Sequence, residues 1–157
     1  MKNKHIIPIV TLCLVIFTLL AVGACDKTEN MPEHYPIEIP FTEYSLESTS
    51  CQWTGLAYDT VVTINSMEEL NQYVTCMGGS YPEIDFSKYT LLLAHGKAPS
   101  SVVNVSCSSL QQLLEQSYKM EVEIVVGDAA VISNWQVPII INRLDERCTI
   151  ELIVALK

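Results

Sequence analysis

The chain predicts an α+β fold, a predominantly antiparallel β-sheet with one principal helix packed on it. Three observations predict it. Tyr118-Lys-Met-Glu-Val-Glu-Ile-Val-Val126 and Cys148-Thr-Ile-Glu-Leu alternate apolar and polar residues with a period of two, the mark of strands with one face in a core and one in water. Ser66-Met67-Glu68-Glu69 has the form of a capping box, in which Ser66 caps the N3 amide and Glu69 reaches back. Short apolar runs between these segments are separated by turn signals such as His95-Gly96-Lys97-Ala98-Pro99 and Gly127-Asp128.

From the N-terminus, Lys2 and Lys4 precede an apolar run over 6–20, the order of a secretory signal. The run ends in Val22-Gly23-Ala24-Cys25, which resembles the lipobox of bacterial lipoproteins. The resemblance implies cleavage after residue 24 and a lipid on Cys25. Two or three acyl chains would anchor the protein stably, because each buried methylene contributes about 0.8 kcal/mol. Two of the nine basic residues and none of the eighteen acidic ones fall before Cys25, so the processed chain would carry a net charge of −11. Such a balance argues against nucleic acid as a partner.

Residues 25–43 read as an extended tether, with Pro32, Pro36 and Pro40 among Asp26, Glu29, Glu33 and Glu38. Proline stiffens such a segment. A single domain is expected over 44–157. Strands are expected at 60–65, 89–95, 102–107, 118–126, 137–144 and 148–156. Pro138 cannot donate to a ladder, so its strand should be an edge or begin beside a bulge. The helix is expected over 66–77, with Met67, Leu70, Tyr73, Val74 and Met77 on its inner face and Gly78-Gly79 as its stop. Residues 108–116 fit either a second helix or a longer strand.

Six cysteines are present. Cys13 leaves with the signal peptide and Cys25 takes the lipid, leaving Cys51, Cys76, Cys107 and Cys148. An even number in an exported chain points to two disulfides. Three pairings are possible. In one, Cys51–Cys76 would tie the N-terminal segment to the helix and Cys107–Cys148 would then join two strand ends; the alternative to disulfides is four reduced core thiols.

Catalytic signals are sparse. His34 and His95 are not spaced for a metal, and no Cys-x-x-Cys, nucleophile elbow or phosphate loop occurs. No metal or cofactor is expected. A hydrolase reading would pair His95 with Cys107 or one of Ser100, Ser101, Ser106, Ser108 and Ser109. Glu121 and Glu123 share a strand face and read as solvated. Trp53 and Trp135 adjoin loops and are the aromatic candidates for a ligand-facing role.

The stretch Tyr81-Pro-Glu-Ile-Asp-Phe-Ser-Lys-Tyr-Thr-Leu-Leu-Leu93, preceded by Ile64-Asn-Ser-Met-Glu-Glu-Leu70, resembles a signature of small lipoproteins of Bacteroidota. The same layout is similar to the small accessory subunit of a spirochaete protease complex. The resemblance spans about 51–157 and implies a fold and a location, the cell envelope with the outer membrane preferred, more than an activity. No catalytic residue transfers through it. In that lineage Asp59-Thr60-Val61 also resembles an O-glycosylation acceptor, with Thr60 as the modified residue. The function expected from all this is a lipid-anchored, non-enzymatic binding or accessory domain with a protein partner. The alternatives are the His95 hydrolase and a structural envelope protein.

Overall fold

Leu91, Leu92, Leu93 and Ala94 are all fully buried, although they are consecutive in one strand. A strand buried on both faces needs a layer on each side, and that requirement organises the molecule. The computed structural model describes residues 34–145 and 147–157. The expected signal peptide and Cys25 lie outside the described residues.

Ten strands and one short helix occur among the described residues. One four-stranded sheet has the order β1 (Ile37–Glu38), β7 (Val102–Leu114), β8 (Ser117–Val126), β10 (Thr149–Leu156). A second has the order β2 (Thr42–Glu43), β9 (Ser133–Asn142), β6 (Tyr89–Ala98), β4 (Thr60–Ile64). The two sheets pack through Leu92 and Ala94 of β6, Val137 and Ile139 of β9, and Leu110, Met120, Val122 and Ile124 of β7 and β8. On its other face β6 places Leu91 and Leu93 against Ile64, Leu70, Val74 and Ile84. A ribbon of β3 (Cys51–Trp53) and β5 (Val74–Cys76), with the helix α1 (Met67–Leu70), covers this second core. Burying each such leucine stabilises by roughly 1.5–3 kcal/mol.

The fold is thus rich in mostly antiparallel strands, with four departures from expectation. The helix is a single turn, Met67–Leu70, rather than 66–77. Its start is as expected: the Glu69 amide donates to Ser66 Oγ at 3.1 Å, and the Asn65 amide donates to Glu69 Oε2 at 2.6 Å. It ends because the Gln72 and Tyr73 amides bond three residues back, to Glu69 and Leu70, a tightening typical of a final turn. The chain then leaves as β5, where β-branched Val74 and Thr75 pair with β3 and Cys76 faces Cys51. Met67 and Met77 are exposed, so only the Leu70, Tyr73 and Val74 part of the stripe reaches the core.

The second departure is orientation. β10 runs parallel to β8, because the chain crosses to the other sheet as β9 between them. Its alternation survives because no layer of the described residues covers the outer face of this sheet, unlike that of a helix-covered parallel sheet.

The third concerns the N-terminal boundary. Residues 37–43, expected in the tether, form β1 and β2, one on each sheet, and Ile39 and Phe41 pack on the inter-sheet core. Residues 108–116 extend β7, the second of the two readings for that segment.

The last is Pro138. β9 is an inner strand, flanked by β2 and β6. β2 is only two residues long, pairing with Ile139 and Ile140. One residue further, the Tyr44 amide donates to Pro138 O at 3.0 Å, and the reciprocal donor is the one proline lacks. Pro138 therefore marks where the outer strand peels away.

Candidate functional site

His95 lies on β6 and is 8 % exposed. It shares a face with Leu91 and Leu93, turned away from the other sheet. Its ring stacks on Tyr58 at 5.0 Å between centroids, and Nδ1 sits 3.3 Å from Ala57 O. Lys97 Nζ covers the Tyr58 ring at 3.9 Å. Cys107 projects into the inter-sheet core from β7, on the far side of the sheet that carries His95. Burial pushes its thiol up to about 11, and it contacts Ser109 O at 3.5 Å. Ser100 and Ser108 donate to the carbonyls of Gly127 and Glu121, and Ser109 to Glu38. The hydrolase pairing of His95 with Cys107 is not brought together.

Cys51 and Cys76 form a disulfide across β3 and β5. Cys107 and Cys148 are free, which corrects the second expected bridge. Cys107 faces Val122 on β8, whereas Thr149, next to Cys148, faces Ser117. At about 3.3 Å per residue, that offset separates the two thiols by more than a disulfide spans.

Glu121 and Glu123 pair with Lys119 and Lys157 at 2.7 and 2.6 Å on the solvated sheet face. Thr60 opens the edge strand β4, half-buried, with Oγ1 donating to Ala57 O at 3.0 Å. The preceding Asp59 has φ +56°, the left-handed region uncommon for residues other than glycine. Trp135 is 2 % exposed and belongs to the core rather than to a ligand-facing surface. Trp53 is half-buried and does face an opening.

That opening is a groove of about 680 Å³. It exists because β2 stops at Pro138. Beyond Tyr44 the chain swings outward, with the Thr49 amide and Oγ1 both donating to Leu46 O and Thr49 Oγ1 accepting from the Cys51 amide. The disulfide, and the Met77 amide donating to Ser50 O, hold this wall to β5. Glu43, Glu47, Gln52 and Trp53 line it together with Ser106 of β7 and Gln136 of β9. Tyr44 braces the wall. Its hydroxyl donates to Pro82 O at 2.7 Å, and its ring meets Trp53 edge-on at 6.0 Å. Burial, with the Tyr81 phenol nearby, pushes the Tyr44 hydroxyl up to about 12.

The backbone of β9 completes the groove. Tyr44 donates to Pro138 O, so even-numbered residues of β9 direct their main-chain groups towards the β2 side. No strand of the described chain lies alongside Asn134 and Gln136 there. The groove thus offers two exposed carboxylates, an indole and an open strand edge. Among the described residues no cluster of three or more metal-ligating side chains occurs. Glu43, Glu47, Gln52 and Gln136 were not singled out by sequence patterns. The available signal was Pro138 inside an otherwise strand-like run, which marks where a ladder must stop.

No known protein family, curated protein or solved structure matches the chain.

Proposed function

We propose that the chain is an envelope lipoprotein, anchored through Cys25, that serves as a non-enzymatic binding or accessory module for a protein partner. The single observation that supports this reading most is the groove beside β9. Its Glu43 and Glu47 carboxylates suit a basic segment, and the open main-chain groups of Gln136 suit an extended one. Trp53 gives such a segment an apolar contact at one wall. The occupant is an extended, cationic stretch of a protein, and a protease complex of the envelope is one such partner class. The outer membrane is the preferred location, on the strength of the lineage resemblance.

The test uses the full chain in intact cells, with a photoreactive residue at Gln52 in the groove or at Glu115 on the β7–β8 turn. The reading expects a discrete crosslinked species from position 52 and none from 115. It further expects Glu43→Lys with Glu47→Lys to abolish that species. Equal crosslinking from both positions, or no effect of charge reversal, overturns it. His95→Ala should leave the crosslink intact, whereas a hydrolase built on His95 would lose activity. Cys25→Ser should release the exported chain from membranes.

A further inference from the structure

Among the described residues the outer edge of β10 is unpaired along Thr149–Leu156, with an unbroken register to β8 on its other side. Natural edges of this length are usually blunted by a proline, a bulge or an inward-facing charge, and β10 carries none of these. Exposed Ile153, Val154 and Leu156, at 40, 39 and 52 %, sit in its second half.

Its hydrogen-bonding parity follows from the bonds it makes. The Thr149 amide donates to Gln116 O, the Lys157 amide donates to Ile124 O, and Lys157 O accepts from the Val126 amide. Odd-numbered residues therefore direct their main-chain groups to β8, and Ile150, Leu152, Val154 and Leu156 direct theirs to the open edge. Side chains alternate the other way. Ile150 and Leu152 pack towards the inter-sheet core, and Glu151, Ile153, Ala155 and Lys157 line the outer face.

We infer that β10 pairs antiparallel with β10 of a second copy of this chain, about a two-fold axis at Val154. In this register Val154 faces Val154, and Leu152 of each copy faces Leu156 of the other. All six residues carry outward main-chain groups, so each facing pair exchanges both of its bonds. The same register sets Glu151 opposite Lys157 in both halves. Glu151 is exposed and has no ion-pair partner among the described residues, while Lys157 already reaches Glu123 at 2.6 Å on that face. Sliding the strands by two residues in either direction separates Glu151 from Lys157, so the charges select one register. The contact is isologous and closes as a dimer. The partner is a second copy because the edge is complementary to itself in charge, side-chain face and hydrogen-bond parity together. The groove beside β9 takes no part, so the dimer stands or falls independently of the proposed binding function.

The test is disulfide trapping in the full chain, in detergent under mild oxidation, with the wild type reporting any background from its native cysteines. Val154→Cys should give a covalent dimer, since facing residues of a hydrogen-bonded pair lie about 5.5 Å apart between Cα atoms. Thr149→Cys should stay at background, because its two copies would be roughly 30 Å apart. Glu151→Lys should weaken dimerisation about tenfold in sedimentation, with two like-charge pairs created at once, and Glu151→Lys combined with Lys157→Glu should restore it. A wild-type chain that sediments as a monomer at micromolar concentration overturns the proposal. So does trapping at 149 equal to that at 154, or a Glu151→Lys chain that dimerises as well as the wild type.

Discussion

The indole of Trp135 lies over Gly96 on the neighbouring strand, in the space a side chain at position 96 would need. The two residues face each other across β6 and β9. A Cβ on Gly96 would sit 2.7 Å from Trp135 Cε2 and 2.7 Å from Asp59 Oδ1. The glycine is thus required by its neighbour, and the packing of this end of the two sheets depends on it.

Gly96→Ala is expected to cost about 1–3 kcal/mol, the range for overpacking a filled core. Trp135 is 2 % exposed and packed within the inter-sheet core. Urea unfolding followed by tryptophan fluorescence reads the loss as a lower midpoint at unchanged slope.

Reducing Cys51–Cys76 opens a loop of 25 residues, worth about 3 kcal/mol in the chain-entropy description. The bridge joins β3, which walls the groove, to β5, and the two strands together cover Leu91 and Leu93. A lower melting temperature under reductant, with faster quenching of Trp53, is the expected result. An unchanged melting temperature would show that β3 and β5 hold without it.

The two free thiols should react differently. Burial pushes Cys107 up to about 11, so at pH 8 almost none of it is thiolate. Cys148 is also raised by burial, but it is half-exposed and at a chain turn. Alkylation of the native protein should label Cys148 well before Cys107, and denaturant should equalise them. The folded value of Cys107 lies above its ordinary 9, so the stability tied to its protonated form is present below pH 9 and lost as pH rises to about 11.

Thr90 is fully buried and joins three segments. Its Oγ1 donates to Asn65 Oδ1 at 2.6 Å and accepts from the Leu144 amide at 2.9 Å. Arg143 donates to the carbonyls of Asn65 and Phe86 beside it. Thr90→Val keeps the volume but leaves a buried amide unpaired, at a cost of about 1–3 kcal/mol. Thermal unfolding should show the loss, and Thr90→Ser should recover most of it.

Asp85 is hydrogen-bonded by Lys88 and by Ser87, which hold its carboxyl down at about 2. Because the folded value lies below the ordinary 3.8, its contribution is complete above about pH 4 and fades as pH falls towards 2. Asp85→Asn should remove that part of the acid dependence, read as a shallower fall of melting temperature between pH 4 and pH 2.

Several elements were legible because their causes are local. The alternation in 118–126 and the first half of 148–156 is a property of consecutive side chains on a pleated backbone. The cap at Ser66 needs only residues 65–69. The Cys51–Cys76 bridge was one reading of the spacing of four cysteines. The helix length was not legible, because the stripe Met67, Leu70, Tyr73, Val74 ends where β5 finds β3 as a partner, 21 or more residues away in sequence. The groove was hidden for the same reason, since 43–53, 105–106 and 136–138 meet only in the folded chain.

By itself the sequence determined which residues alternate, where a helix can start, where a ladder must lack a donor, and that Cys51 and Cys76 were candidates for a bridge. Each follows from the stereochemistry of neighbouring residues. Tertiary structure alone decided that β10 runs parallel to β8, that Pro138 lies on an inner strand, that His95 and Cys107 face opposite sides of a sheet, and that 37–43 belong to the fold. A strand's own pattern states only which of its faces is apolar. Its direction, its neighbours and what covers that face are set by where the rest of the chain returns to bury it.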